Sequence, residues 1–177
     1  MAQAEVDSSD KVNFAKALKS ILRHDPDVVM IGEIRDAESL DVAVKSALTG
    51  HLVLSTLHTN SAVGAVTRLR NMGLANHLIS ATLRLSIAQR LVRRLCEECC
   101  GLGCAACSGR GLCGRVGVFE LFRPDAEAAR LVADGATEAE ILAAARSAGF
   151  ASLADDARAK VREGVTTEAE MLKVVVD

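Results

Sequence analysis

Two short apolar runs, separated by a segment of helix length, define the first recognisable unit of the chain. Val28–Ile31 is a continuous run of four apolar residues, and residues 52–54 form a second run. Continuous runs of this length are typical of parallel strands that are buried on both faces. Between them, Asp36 is suited to cap a helix and Gly50 is suited to end it. The pattern predicts a strand–helix–strand unit with two parallel neighbouring strands, as in an α/β fold.

The spacing of apolar residues predicts helices on both sides of this unit. Before it, apolar residues recur at helical intervals over residues 13–24, and Pro26 ends that pattern. After it, we expect a helix over residues 61–71 and a longer one over residues 76–95. Leu78, Leu85, Ile87 and Leu91 would form the buried side of the longer helix.

The rest of the chain divides into a loop, a strand and a set of short helices. Cysteine and glycine dominate residues 96–117, which suggests a compact loop, and residues 115–121 have the pattern of a strand. Beyond Pro124 the pattern is helical, with caps predicted at Asp125, Thr137 and Thr167. We therefore divide the chain into an α/β domain over residues 1–122 and a small helical subdomain over residues 123–177.

Composition and charge exclude several classes of function. The formal net charge is −2, and the chain has four Phe but no Trp or Tyr. Sequence-independent binding of single-stranded nucleic acid needs basic grooves and aromatic stacking platforms, so we expect no nucleic-acid partner. Four arginines at positions 84, 90, 93 and 94 form a local basic patch, which we interpret as a solvated or subunit-facing helix side. Neither a secretory leader nor an apolar run long enough to span a membrane is apparent.

Two polar residues follow the predicted strands at the point where each strand ends. Glu33 comes soon after residues 28–31, and His58 follows residues 52–54. The carboxyl ends of parallel strands meet at one edge of a sheet, where α/β proteins build reactive sites. A carboxylate there can activate water, and an imidazole can donate to a phosphate oxygen. The alternative is that Glu33 only pairs with a neighbouring arginine. His24, His51 and His77 are expected to be structural.

Four cysteines have the spacing of a metal site. Cys96 and Cys99 form one C-x-x-C pair, and Cys104 and Cys107 form a second pair four residues later. Four thiolates around Zn²⁺ make a closed, structural tetrahedral site, and a short linker can still close it. An iron–sulfur cluster and free or redox-active thiols remain alternatives. Cys100 and Cys113 are additional, and Cys100 could compete with Cys99 as a ligand.

Several stretches together resemble one protein family. They are DPDVVMIGEIRDAESLDVAVKSALTGHLVLSTLHTN at residues 25–60, AQRLVRRLC at residues 88–96 and GRVGVFEL at residues 114–121. The sequence resembles the C-terminal part of the hexameric ATPases of bacterial type II secretion and type IV pilus assembly. The resemblance covers the chain after about its first dozen residues.

The resemblance implies a partial RecA-like P-loop ATPase core with a four-cysteine zinc knuckle at residues 96–107 and a C-terminal helical bundle. It implies that Glu33, in the Walker B position, activates water and that His58 senses the terminal phosphate of ATP bound with Mg²⁺. It also implies a hexameric ring in the cytoplasm, peripheral to the inner membrane, that contacts an inner-membrane platform protein. The zinc motif favours secretion or pilus extension over pilus retraction.

One motif expected of such an ATPase is missing from this sequence. No G-x-x-x-x-G-K-[S/T] stretch, the loop that cradles phosphates, occurs in it. We therefore expect that the chain alone neither binds ATP tightly nor hydrolyses it, and that strands lacking their neighbours leave apolar surface exposed. The alternative hypothesis is a non-catalytic zinc-binding adaptor or degenerate paralogue that docks on an intact ATPase.

Overall fold

The computed structural model describes residues 17, 20–24 and 26–175. Within the predicted helix over residues 13–24, residues 17, 20 and 21 are helical and Leu22–His24 form a 3-10 turn, while residues 13–16, 18 and 19 lie outside the described residues. The remaining elements are β1 (Val28–Ile31), α1 (Ala37–Leu48), β2 (Leu52–Ser55), α2 (Gly64–Asn71), α3 (Asn76–Thr82), β3 (Ser86–Leu95), β4 (Leu112–Phe122), α4 (Ala126–Asp134), α5 (Glu138–Ser147), α6 (Leu153–Arg162) and α7 (Glu168–Val175).

The predicted strand–helix–strand unit is confirmed. Strands β1 and β2 pair in parallel, with Val28 opposite Leu52 and Ile31 opposite Ser55. Asp36 caps α1, since its side chain accepts a hydrogen bond from the Ser39 backbone N–H at 2.8 Å. Helix α1 packs against β2. The two strands therefore end at the same edge of this small sheet.

Strand β1 is buried on one face, and the prediction that both faces are buried is wrong. Val29 and Ile31 are buried in the same apolar cluster as Leu40 of α1. Val28 and Met30, which point to the other face, are 52% and 71% exposed. A continuous apolar run shows only that a strand can be covered on both faces, because burial depends on which elements pack against it.

The long helix predicted over residues 76–95 is instead a short helix followed by a strand. Helix α3 ends at Thr82, and β3 pairs antiparallel with β4, with Ile87 opposite Leu121 and Leu91 opposite Gly117. Ile87 and Leu91 are exposed, whereas Ala88 and Val92 are buried. A spacing of four residues fits both a helix of period 3.6 and a strand of period 2, so the apolar pattern alone did not separate the two.

The basic patch also differs from the prediction, because three of its arginines lie on a strand. Arg84 lies between α3 and β3, whereas Arg90, Arg93 and Arg94 lie on β3. Successive side chains on a regular strand alternate between its faces, so Arg93 faces opposite to Arg90, and the pairing with β4 becomes irregular between Arg93 and Leu95. Arg94 pairs with Glu97. The four arginines therefore do not form one side of a helix.

The four helices after β4 begin at capping residues. Asp125 caps α4, Thr137 and Glu140 form a capping box on α5, and the Thr167 hydroxyl accepts from the Glu170 N–H at the start of α7. Those three caps were predicted. A further capping box at α6, between Ser152 and Asp155, was not.

These helices pack on the earlier elements of the chain. Helix α4 packs on α3, α6 packs on β4, and α7 packs on β3. At the outer edge of β3, Leu95 N–H donates to the Val165 carbonyl at 2.9 Å, and the Thr166 hydroxyl donates to the Arg93 carbonyl at 2.7 Å. The buried apolar cluster accordingly runs from Val29 in β1 to residues of α6. Among the described residues, no helix is long and apolar enough to cross a membrane.

Phe122 offers a test of this core, with a second phenylalanine on the same strand as its control. Phe122 is 1% exposed and meets the ring of Phe150 edge-to-face at 6.5 Å between centroids, whereas Phe119 is 39% exposed. Phe122→Ala should lower the free energy of unfolding by about 3–5 kcal/mol, because it leaves a cavity. Phe119→Ala should cost at most about 1 kcal/mol. Urea titrations followed by circular dichroism measure both, and equal losses would contradict this core.

Candidate functional site: a strand-edge ion pair and a four-cysteine cluster

The ends of β1 and β2 are tied together beyond the last paired residues. The Thr56 hydroxyl donates to the Gly32 carbonyl at 2.7 Å, and the Ile34 N–H donates to the Thr56 carbonyl at 3.2 Å. These two bonds span the segments that follow each strand. They fix Glu33, which lies between Gly32 and Ile34, relative to the segment that leads to His58.

The structure places Glu33 and His58 in contact at this edge. His58 Nε2 lies 2.5 Å from Glu33 Oε1. The other carboxylate oxygen, Oε2, is 2.6 Å from Arg35 Nη2 and accepts a hydrogen bond from Arg35 Nε at 2.7 Å. The Glu33 side chain is 20% exposed, whereas those of His58 and Arg35 are largely exposed. Each oxygen of Glu33 therefore has a nitrogen close to it, although only Oε2 accepts a hydrogen bond among the described residues. The pairing with a neighbouring arginine coexists with the contact to histidine.

These neighbours keep Glu33 ionised. Hydrogen bonding from Arg35, followed by the charges of Arg35 and His58, holds the pKa of the Glu33 carboxyl below its usual value of 4.5, against the opposing effect of burial. The same contact raises the pKa of Arg35. A carboxylate in this state can accept a proton or orient a water molecule at neutral pH.

The segment that carries His58 is fastened to later parts of the chain. Arg90 Nη2 donates to the Asn60 carbonyl at 3.3 Å, and the Ser61 hydroxyl donates to Glu138 Oε1 at 3.1 Å. The next N–H, that of Ala62, donates to Glu120. Sequence reasoning did not identify Glu120 or Glu138, because neither lies near His58 in the sequence.

The other histidines lie elsewhere. His51 Nδ1 is 3.0 Å from the Ser46 carbonyl oxygen and 3.2 Å from the Thr49 hydroxyl, at the start of β2. His24 and His77 are exposed on the 3-10 turn and on α3. Neither of these two lies on the segments that follow β1 and β2.

Four cysteine sulfurs converge in the loop between β3 and β4. The Sγ atoms of Cys96, Cys99, Cys104 and Cys107 all lie within 4.8 Å of one another. Cys104 Sγ is 3.8 Å from those of Cys96 and Cys107, and Cys99 Sγ is 3.8 Å from that of Cys107. A tetrahedron of sulfurs at about 2.3 Å from a zinc ion has edges of about 3.8 Å, so the donor set fits a metal ion.

Backbone N–H groups and burial tune these thiols in opposite directions. The N–H of Cys104 and that of Gly111 each donate to Cys107 Sγ at 3.2 Å. These two donors, the Cys104 N–H first, lower the pKa of Cys107 to about 6. Despite an opposing hydrogen bond from the Glu98 backbone, burial and the Cys104 and Cys99 thiols raise the pKa of Cys96 to about 11. Thiolates are the forms that bind metals, and N–H donors stabilise them.

Two glycines allow the cysteine loop to close. Gly103 and Gly111 have φ values of +91° and +69°, which few other residues adopt. A Cβ atom on Gly103 would lie 2.7 Å from the Gly109 carbonyl oxygen, and one on Gly111 would lie 2.3 Å from that of Gly101. Both positions therefore need glycine, for φ and for space.

The two additional cysteines stand apart from the cluster. Cys100 and Cys113 are both exposed, and neither belongs to the group of converging sulfurs. Cys100 has a φ of +47°, in the left-handed region. The geometry therefore selects Cys99 rather than Cys100 as the fourth member of the group.

The chain is similar in sequence to proteins of type II secretion and type IV pilus assembly. The type II secretion system protein HxcR of Pseudomonas aeruginosa is 46% identical, and all of this chain aligns with 39% of its length. The type IV pilus assembly ATPase PilB of Acinetobacter baylyi is 39% identical, with 97% of this chain aligned to 34% of its length. The chain thus spans well under half the length of the curated relatives it matches.

Solved structures have the same α/β fold. The pilus retraction motor PilT with bound ADP superposes with a TM-score of 0.77 at 26% identity, over 96% of this chain and 46% of that one. The Legionella pneumophila ATPase DotB gives a TM-score of 0.71 at 28% identity, over 93% of this chain and 42% of that one.

A family assignment follows from the extent of the match. Residues 1–173 fit the sequence profile described as "Type II/IV secretion system protein". This matched range includes both strand ends and the four-cysteine loop. The chain belongs to the family of type II/IV secretion system proteins.

Proposed function

We propose that this chain supplies the catalytic glutamate and the phosphate-sensing histidine of a secretion or pilus-assembly motor ATPase. The observation that carries the proposal is the 2.5 Å contact between Glu33 and His58 at the shared end of two parallel strands. A carboxylate and an imidazole at such an edge can address the attacking water and the terminal phosphate of one nucleotide. The sequence similarity to named ATPases of type II secretion and type IV pilus assembly supports the same reaction.

In this proposal each side chain has one role. Glu33 orients or deprotonates the attacking water, and its lowered pKa keeps the carboxylate ionised. His58, which is more exposed, donates to an oxygen of the terminal phosphate. Arg35 holds the Glu33 carboxylate in its ionised form. ATP with Mg²⁺ would provide the phosphoryl group and the charge neutralisation, held by a phosphate-binding loop that this sequence does not contain.

The wider assembly belongs to the same proposal. Residues 1–122 would form part of a RecA-like core, and residues 123–177 a helical subdomain. The motor would be a hexameric ring on the cytoplasmic face of the bacterial inner membrane, in contact with a membrane platform protein and not with nucleic acid. The names of related proteins support a role in type II secretion or type IV pilus assembly.

The four-cysteine cluster is proposed as a structural zinc site. Its sulfur separations fit a tetrahedral ion, its members are buried or half-buried, and four cysteine ligands leave no open position for catalysis. When bound, zinc would cross-link the loop between β3 and β4.

Activity can be tested in a chimera in which this chain replaces the matching segment of HxcR. We expect the chimera to hydrolyse ATP and Glu33→Gln to lower kcat by about 100-fold or more, because the general base is lost. His58→Ala should also lower kcat. Glu163→Gln, which removes an exposed carboxylate at the end of α6, should leave the rate unchanged.

The chain by itself is the second arm of this experiment. Phosphate release by residues 1–177 alone should stay at background, since no phosphate-binding loop is present in the sequence. Turnover by the chain alone that depends on Glu33 would contradict that expectation. An inactive chimera that still folds and forms rings would favour the zinc-binding adaptor over the motor.

Metal content separates the proposed ligands from the two additional cysteines. Protein purified without added metal should contain about one zinc ion per chain by mass spectrometry. Cys96→Ser/Cys104→Ser should lose the ion and melt at a lower temperature, because metal binding contributes to folding. Cys100→Ser/Cys113→Ser should keep it. Iron with visible charge-transfer absorption would overturn the zinc assignment.

The pH dependence of Glu33 has a defined sign. A folded-state pKa below 4.5 means that pairing stabilises the fold above pH 4.5 and that this contribution is lost as the pH falls through the folded pKa. In carboxyl ¹³C NMR titrations, Arg35→Ala should raise the pKa of Glu33 more than His58→Ala does. Glu140, whose pKa is lowered by the Thr137 backbone, is the internal control. An unchanged Glu33 titration in both variants would refute the pairing.

A further inference from the structure

A buried carboxylate on β4 connects the His58 segment to the C-terminal helices. Glu120 lies on β4 and is 5% exposed. Its Oε1 accepts a hydrogen bond from the Ala62 N–H, and its Oε2 accepts one from the Leu153 N–H at 3.1 Å. Ala62 is four residues beyond His58, and Leu153 is the first residue of α6. One side chain therefore joins two segments that are distant in the sequence.

Only a carboxylate of this length satisfies both donors. Its two oxygens each accept one backbone N–H, whereas glutamine has one acceptor oxygen and would turn its NH₂ group toward the second donor. An aspartate would be one methylene shorter. Because both N–H groups are buried at this contact, each needs an acceptor within the protein.

Ser61, the residue before Ala62, makes a second connection between the His58 segment and the C-terminal helices. Glu138, the first residue of α5, accepts from the Ser61 hydroxyl at 3.1 Å and from the Thr67 hydroxyl at 2.9 Å. The Ser61 oxygen also accepts from the Gly64 N–H at 2.9 Å. The connection from His58 to α2 is thus fastened at consecutive residues, to α5 through Glu138 and to α6 through Glu120.

We propose that Glu120 is a positioning residue that holds His58 against Glu33 by anchoring Ala62 to the first turn of α6. Its relevance to ATP hydrolysis rests on the proposed function, but the positional coupling does not. Thr56 fixes one end of the His58 segment to Gly32, and Ala62 fixes the other end to Glu120. His58 lies between these two anchors, so release of the second removes the buried tie on its C-terminal side and leaves only the exposed ties of Asn60 to Arg90 and of Ser61 to Glu138 there. While the Glu120 contact is intact, a displacement of α6 would be transmitted to His58.

The test uses the full chain and reports on the Glu33–His58 contact directly. Glu120→Gln should shift the ring resonances of His58 and raise the pKa of Glu33 in the direction that His58→Ala does. In the double variant Glu120→Gln/His58→Ala, the pKa of Glu33 should rise no further than in His58→Ala alone, because both substitutions act on the same Glu33–His58 contact. Glu163→Gln, an equal loss of charge at the other end of α6, should leave both signals at their wild-type values.

A purely structural role for Glu120 gives a different result. A lower melting temperature with unchanged His58 resonances and an unchanged Glu33 titration would overturn the proposal. If Glu120→Gln does not fold, hydrogen exchange in the wild-type chain decides the matter. The amides of Ala62 and Leu153 should then be protected and exchange at similar rates, and exchange of Ala62 at the rate of an unstructured peptide would overturn the proposal.

The chimera separates this proposal from the proposed function. Glu120→Gln in the chimera should lower kcat while the KM for ATP changes little. If Glu33→Gln leaves the chimera active, the proposed function fails, yet the NMR coupling can still hold. If Glu33→Gln abolishes activity but Glu120→Gln changes neither kcat nor the His58 resonances, the coupling fails by itself.

Discussion

The parallel, in-register pairing of β1 and β2 is the constraint on which the candidate site depends. Ile31 lies opposite Ser55, so the segments after both strands start at the same edge. A slip of one residue would turn the side chains of one strand to the other face and carry its polar residue away from its partner. The Thr56–Gly32 hydrogen bond extends the register past the last pair. Backbone pairing therefore determines that Glu33 and His58 meet.

Hydrogen bonds to Glu120 and Glu138 hold the segment that carries His58, the exposed residue of that site. His58 is on the surface, and an exposed side chain is positioned only as well as its backbone is. The carboxylates of Glu120 and Glu138 fasten that backbone to the helices that follow β4. The C-terminal helices are thus connected to the strand edge by hydrogen bonds, although the contacts of Glu33 in the described part of the chain come from Arg35 and His58.

The sequence predicted the parts of the molecule that depend on neighbours in the chain. The strand–helix–strand unit, its Asp36 cap and the grouping of the cysteines all rest on spacings of a few residues, and all appear in the structure. Residues 86–95 were mistaken for helix because Ile87 and Leu91 fit either period, and only pairing with β4 decides between them. The roles of Glu120 and Glu138 depend on partners far away in the sequence, so no local signal could reveal them.

The claim that Glu33 and His58 act as one site is tested most directly by a double-mutant cycle on ATP hydrolysis. The rates of Glu33→Gln, His58→Ala and the double variant would be compared in the context of the chimera with HxcR. Because the two side chains are in contact, the double variant should be hardly slower than the slower single variant. Losses that multiply in the double variant would mean that the two residues act independently, and would contradict this account.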